Sequence, residues 1–297
     1  MSITEPPLIS AVICVFNDWV ALENCLKSFA LQKSPPSFEV VVVDDGSQLS
    51  LPDSLNRLDL PYPIRFIRQD HAGTSAARNT GTRGSIGSVV LFTDADCILD
   101  GDCLHNLSIE LAEHQNANCF QLHLVGDCSH VIGKAEQLHL ATIQNYKLEP
   151  SGQIRYLNTS GAAIRRSKPV SYGPVFEIRA LRAQDTLLLS TLIGMGELPR
   201  FVSSASVLHD VRLPIPKYLW KGFWTGYVEG WAYEIIKSNG VRVRSTGSER
   251  LQMLFSMWRQ SRLLSWGVFP FLIVVIHQVL SFLGSLIYGC IKGSQSV

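Results

Sequence analysis

Residues 88–96 read Ser88-Val89-Val90-Leu91-Phe92-Thr93-Asp94-Ala95-Asp96, an apolar run that stops on two carboxylates. A continuous apolar, β-branched run of this kind fits a strand covered on both faces, as in a parallel sheet. Two earlier runs are built the same way. Residues 9–16 (ISAVICVF) stop at Asn17-Asp18, and residues 38–43 (FEVVVV) stop at Asp44-Asp45-Gly46-Ser47. Between them, Val20, Leu22, Cys25, Leu26, Phe29 and Ala30 follow helical spacing over residues 19–32. A short strand is expected at 62–68, then a helix at 74–82 opened by Gly73-Thr74. The order strand–helix–strand–strand–helix–strand predicts an α/β domain with a mainly parallel sheet flanked by helices. Ligands bind beyond the carboxyl ends of the strands in such open sheets. All three polar clusters sit at those ends.

Each cluster has a bland and a chemical reading. Two carboxylates two residues apart at a strand end repel each other. A hard divalent cation relieves that, since Mg2+ and Mn2+ take oxygen ligands and bridge to phosphate; the alternative is a turn with a capping aspartate. Asp-Gly at 45–46 is a turn signal, or else a carboxylate there meets a base N–H or a ribose hydroxyl. The stretch 71–81, His71-Ala-Gly-Thr-Ser-Ala-Ala-Arg78-Asn-Thr-Gly81, is the most distinctive. A Gly-Thr helix start directs backbone N–H groups at an anion, with Arg78 one turn inside.

Together these elements resemble family 2 glycosyltransferases of the GT-A fold. The resemblance runs over residues 8–215 and rests on Asn17, Asp44-Asp45-Gly46-Ser47, Gly73-x-Ser75-x-Ala77-Arg78-Asn79-x-Gly81 and Phe92-Thr93-Asp94-Ala95-Asp96 in that order. It implies that Phe16 and Asn17 line a nucleotide pocket, that Asp45 or Asp44 meets the base, and that Arg78 lies near the nucleotide. Asp94 would face the ribose and donor sugar, and Gly161 would stand in a small-residue wall beside that sugar. Asp96 would be the main ligand of Mn2+ or Mg2+, with Asp94 beside it and His209 as a third ligand; His209 is otherwise a structural histidine. The catalytic base would be Asp185, following Gln184 where the family usually has Glu. The processive members' Gln-x-x-Arg-Trp motif has no match, so transfer of one sugar is expected. The rivals are a nucleotidyltransferase, which lacks its glycine-rich loop after residue 16 here, and a non-catalytic nucleotide-sugar-binding protein on the same fold.

Composition adds a membrane. Charged residues are 17% of the 297 and the net charge is +1, without the strong basic excess that would point to nucleic acid, so no nucleic-acid partner is expected. Seven cysteines, an odd number with no C-x-x-C, argue against a disulfide framework. Residues 1–7 do not read as a signal peptide. From Leu263 to Ile291 there is no Asp, Glu, Lys or Arg. As one helix, residues 268–291 would be about 36 Å long, against ~30 Å of hydrocarbon. The readings are a single span, a re-entrant or surface-lying hairpin, or a buried helix. Helices are also expected at 135–148, 183–195 and 251–266, and strands at 153–164 and 204–209. The aromatic stripe Trp220, Phe223, Trp224, Tyr227 and Trp231 either covers the acceptor cleft or sits at a bilayer interface. Arg242, Arg244, Arg250, Arg259 and Arg262 precede the tail and Lys292 follows it, which orients the catalytic domain to the cytoplasm. The expected organisation is 1–215 catalytic, 216–262 aromatic-rich and helical, and 263–297 membrane-anchoring. Expected partners are a nucleotide-sugar donor, a lipid-linked or glycan acceptor, and the membrane.

Overall fold

The structure is a computed structural model and describes residues 5–166, 175–177, 183–238, 240 and 245–295. Arg242 and Arg244 lie outside them. The elements in chain order are β1 (Ile9–Val15), α1 (Trp19–Ala30), β2 (Phe38–Asp44), α2 (Asp53–Asn56), β3 (Ile64–Arg68), α3 (Thr74–Gly84), β4 (Val89–Asp94), β5 (Cys97–Leu99), α4 (Cys103–Glu113), β6 (Cys119–Gly126) and α5 (Val131–Lys147). A 3₁₀ turn (Thr159–Gly161) leads into β7 (Ala162–Arg165). Then come α6 (Gln184–Gly194), β8 (Arg200–His209), α7 (Ile215–Ser238), α8 (Gly247–Leu263) and α9 (Val268–Gln295).

The strands form one eight-stranded sheet in the order β3-β2-β1-β4-β7-β6-β8-β5. Its first four strands are mutually parallel, while β7 runs antiparallel to β4 and to β6. The parallel half follows from the apolar runs. Ile9, Val12, Ile13, Val40–Val43, Val89 and Phe92 are all buried, so both faces of these strands are covered. Asp18 starts α1 by accepting from the Ala21 N–H at 3.2 Å, a helix cap. Leu22, Leu26 and Phe29 then turn inward. Helix α3 lies close on β1 and β2 because Gly81 has no side chain. A Cβ there would collide with Val12 Cγ1 and come within 3.1 Å of Val43 Cγ2.

The chain folds as two compact units that interleave along it. One takes Met1–Leu124, Leu157–Arg179 and Pro199–Leu208; the other takes Val125–Tyr156, Ala180–Leu198 and His209–Val297. The first holds the sheet. The second has its own core, in which Ile132, Ala135 and Leu138 of α5 meet Met253 and Met257 of α8 and Ile273 and Val274 of α9. Helix α8 opens with a reciprocal cap between Thr246 and Glu249.

Two features depart from the sequence reading. The expected strand at 153–164 is a loop with one bridge, Leu148–Ile154, and pairing in the sheet begins only at Ala162. Asn158 is the cause: its N–H donates to Gln121 Oε1 at 2.7 Å and its side chain accepts from the Ser160 N–H at 2.9 Å, turning the chain before the strand. The segment β5–α4–β6 has no counterpart among the expected elements.

The Gly81 contact carries a prediction. Gly81→Ala overpacks the α3–β1 seam and should cost about 1–3 kcal/mol, read as a lower urea midpoint with an unchanged slope. An unaltered midpoint would mean that α3 does not sit tightly on β1.

Candidate active site

The carboxyl ends of β1 and β2 are laced together by their own polar residues. Asn17 adopts φ 58°, a left-handed conformation that asparagine tolerates. Its N–H donates to Ser47 Oγ at 2.9 Å, and its Oδ1 accepts from the Gln48 N–H at 2.7 Å. Asp44 accepts from the Ser47 N–H at 2.8 Å and pairs with Arg68 at 2.6 Å. Asp45 is buried. It accepts from Gln69 Nε2 at 2.7 Å and from the backbone N–H groups of Ala72 at 3.0 Å and Gly73 at 2.9 Å, and His71 Nδ1 lies 2.9 Å away. Gly46 has φ 77°, and a Cβ on it would stand 2.7 Å from the His71 backbone nitrogen. Both aspartates therefore fix loop shape. Above them Phe16, 44% exposed, stacks on His71 with ring centroids 4.3 Å apart.

At the end of β4 the chemistry is ionic. Arg78 reaches from α3, 3% exposed, and donates through Nη2 to Asp94 Oδ1 at 2.7 Å. Ser160 Oγ donates to Asp94 Oδ2 at 2.8 Å. Asp94 thus has a partner at each oxygen. The Arg78 guanidinium also lies 5.6 Å from the Phe176 ring centroid, within cation–π range. Asn79 holds Phe176 by exchanging two hydrogen bonds with its backbone, 2.8 and 3.0 Å long. Ser160 is fixed in turn by Thr93, whose hydroxyl donates to its carbonyl at 3.1 Å. Gly161 follows it; a Cβ there would press to 2.8 Å from Leu124 Cδ2. Asp96 stands two residues past Asp94 and is half-buried. Burial, with the charges of Asp96 and Asp94, holds the Cys97 thiol well above its ordinary range.

Two further residues from the sequence reading belong to the other unit. Asp185 is the second residue of α6, half-buried, in the first turn where the helix dipole favours a carboxylate. His209 ends β8, buried, with Nδ1 3.7 Å from Glu136 Oε1. Burial works against the Glu136 carboxylate, but His209, His139 and Lys221 outweigh it and hold the group well below the carboxylate range.

The first unit thus gathers Phe16, Asn17, Asp44, Asp45, Arg78, Asp94, Asp96 and Gly161 on the strands and turns just described. Sequence reasoning missed His71, Ser160, Phe176 and Glu136. His71 opens the distinctive stretch 71–81, and Ser160 adjoins the Gly161 that the resemblance places beside the donor sugar. Phe176 gave no signal, because its role comes from a contact with Asn79, 97 positions away.

The family model described as glycosyl transferase family 2 matches residues 10–169, just over half of the chain. Glycosyltransferase AglE of Haloferax volcanii is 35% identical over 94 residues, 31% of each chain. Glycosyltransferase GlyA of Streptococcus pneumoniae is 30% identical over 133 residues, 40% of this chain and 19% of that one. The matches thus span less than a third of those relatives' lengths. Among solved structures, a mannosyltransferase from Pyrobaculum calidifontis in complex with GDP-Man and Mn2+ superposes with TM-score 0.62 at 15% identity, covering 96% of this chain and 87% of that one. TarS residues 1–349 of S. aureus in complex with UDP-GlcNAc gives 0.54 at 13% identity, covering 96% and 92%. The chain belongs to glycosyl transferase family 2, and it has the GT-A fold of those solved structures.

Proposed function

We propose that the protein moves one sugar from a nucleotide-sugar donor, a UDP-sugar on family grounds, to a hydroxyl of a membrane-proximal glycan or lipid, with inversion at the anomeric carbon. The observation that carries this reading is the Arg78–Asp94–Ser160 tie at the end of β4, on the same strand-end edge as the exposed Phe16–His71 ring pair. That edge offers an aromatic face for a base and oriented polar groups for a ribose and diphosphate. The nucleotide sugars named with two of the structural neighbours support the donor class.

The roles follow from the chemistry of each residue. Phe16 gives its ring face to the base. Asn17, Asp44 and Asp45 keep the loops around it in shape, and Asp45 acts through the 71–73 backbone that it holds. Arg78 sets the orientation of Asp94, whose carboxylate faces the ribose and donor sugar beside the Gly161 wall. The donor set fits a hard divalent cation: Asp96 supplies carboxylate oxygens at a half-exposed position. Asp96 would be the first ligand of Mn2+ or Mg2+, with Asp94 contributing chiefly by orientation. Such an ion offsets charge that develops on the departing diphosphate. Asp185 takes the proton from the acceptor hydroxyl as that oxygen attacks the anomeric carbon. A positioned base of this kind contributes ~10²- to 10⁴-fold in rate. We further assign residues 1–215 to catalysis, with 216–262 and 263–297 seating the protein on the cytoplasmic face of a membrane.

Three outcomes are expected. Asp185→Asn lowers kcat by ~10²- to 10⁴-fold while calorimetry finds donor affinity almost unchanged; full turnover in the variant would remove Asp185 as base. Chelation with EDTA weakens UDP-sugar binding, and added Mn2+ or Mg2+ restores it; binding indifferent to EDTA would rule out Asp96 as a metal ligand. Phe16→Ala weakens UDP binding by roughly 5- to 100-fold, the loss of ~1–3 kcal/mol of base stacking, and an unchanged affinity would place the base elsewhere.

A further inference from the structure

We infer that α9 does not cross the bilayer but lies along one leaflet, so that its far end stays on the same side as its start. This rests on the membrane association proposed above and deepens it.

The first observation is how α9 is paired. Gly222, Gly226 and Gly230 of α7 face His277, Ser281 and Tyr288 of α9 in that order, and Gly284 of α9 faces Phe223 and Tyr227. Rising numbers meet rising numbers, so the two helices run parallel. A Cβ on Gly222 or Gly230 would stand 2.7 Å from the facing ring, and at Gly226 and Gly284 it would meet the partner's backbone outright. Small residues four apart allow this close approach. Helix α7 therefore shares the depth of α9 from about residue 277 to 288. It carries Lys221 and Glu229, each one position before a packing glycine, with Lys217 and Lys237 nearer its ends. An upright α9 would carry Lys221 and Glu229 into hydrocarbon beside it, where ionised side chains are costly.

The second observation is what holds the first part of α9. Ile273 and Val274 are core residues with Leu138 of α5 and Met257 of α8. His277 lies against Tyr218, ring centroids 4.6 Å apart, and the Tyr218 hydroxyl donates to the half-buried Glu136 carboxylate at 2.8 Å. A helix segment packed on that polar cluster is seated in protein. That seat covers one face of the segment only, since Leu272 and Ile276 beside it are 43% and 45% exposed.

The third is the face that remains. The stretch Val268–Ile291 has mean hydropathy 2.0, yet only 17% of it is buried. Leu272, Ile276, Val279, Leu283, Leu286 and Ile287 are each 42–51% exposed and recur at helical spacing. With Val268, Phe269, Phe282 and Ile291, which are 45–55% exposed, they leave one apolar face of α9 open while α7 covers another, and an open apolar face suits the acyl boundary. Exposed Arg259 and Arg262 on α8 suit anionic head groups nearby. The occupant of that face is therefore the acyl boundary of one leaflet.

Two exposed cysteines make the test direct. Cys128 precedes α5 and Cys290 lies near the end of α9, both in the same compact unit. The full chain, as C128S and C290S single variants, would be expressed in bacteria and labelled with a membrane-impermeant maleimide in inverted vesicles and in spheroplasts. An epitope fused after Val297 and probed with protease gives a second readout if lipid shields Cys290. The expected result is that the protein sediments with membranes and that Cys128 and Cys290, or the epitope, react from the same side. Reaction of Cys290 or the epitope only from the side opposite Cys128 overturns the inference and leaves membrane association standing. Recovery of the chain in the soluble fraction, for instance as a dimer joined through the open face, overturns both.

Discussion

The buried Arg78–Asp94 pair is the constraint on which the rest of the site depends. Arg78 is 3% exposed and Asp94 more open to solvent. A buried guanidinium stripped of its partner typically costs ~3–5 kcal/mol, so the pair fixes where α3 sits and how β4 ends. Everything adjacent leans on it. Ser160 takes the second oxygen of Asp94, Phe176 covers the guanidinium, and Asn79 secures Phe176. The pair can form only because α3 lies low on the sheet, which Gly81 permits.

A second lattice of bonds does for the β1 and β2 ends what the ion pair does for β4. Asp45 organises 71–73 and Asp44 organises 47 and Arg68. Carboxylates that looked free to greet a ligand are engaged in shaping backbone. This is a sensible division of labour. Preorganised loops spare the ordering cost that binding would otherwise incur.

The parallel half of the sheet was legible because its strands are apolar on both faces, and an unbroken β-branched run such as 38–43 suits a doubly covered strand better than a helix or a surface loop. Its site residues were legible because they sit at strand ends in an order with a family resemblance. What was not legible arises from distance or from polar residues in the core. Gln121 is fully buried within β6 and spends its side chain on Leu122, Asn158 and Gly161. That breaks the apolar pattern that would have announced the strand. The turn at 158–161 depends on the same glutamine, so its departure from strand could not be read locally. The use of Asp44 and Asp45 as loop braces depends on partners 3 to 28 positions away.

The proposed donor site lies along the carboxyl edge of β1, β2 and β4. Hydrogen–deuterium exchange of the full chain with and without UDP and Mn2+ tests it most directly. Binding along that edge predicts slower exchange concentrated in residues 15–18, 44–48, 71–76 and 94–97. Protection elsewhere, with those four segments unchanged at saturating UDP, would contradict it.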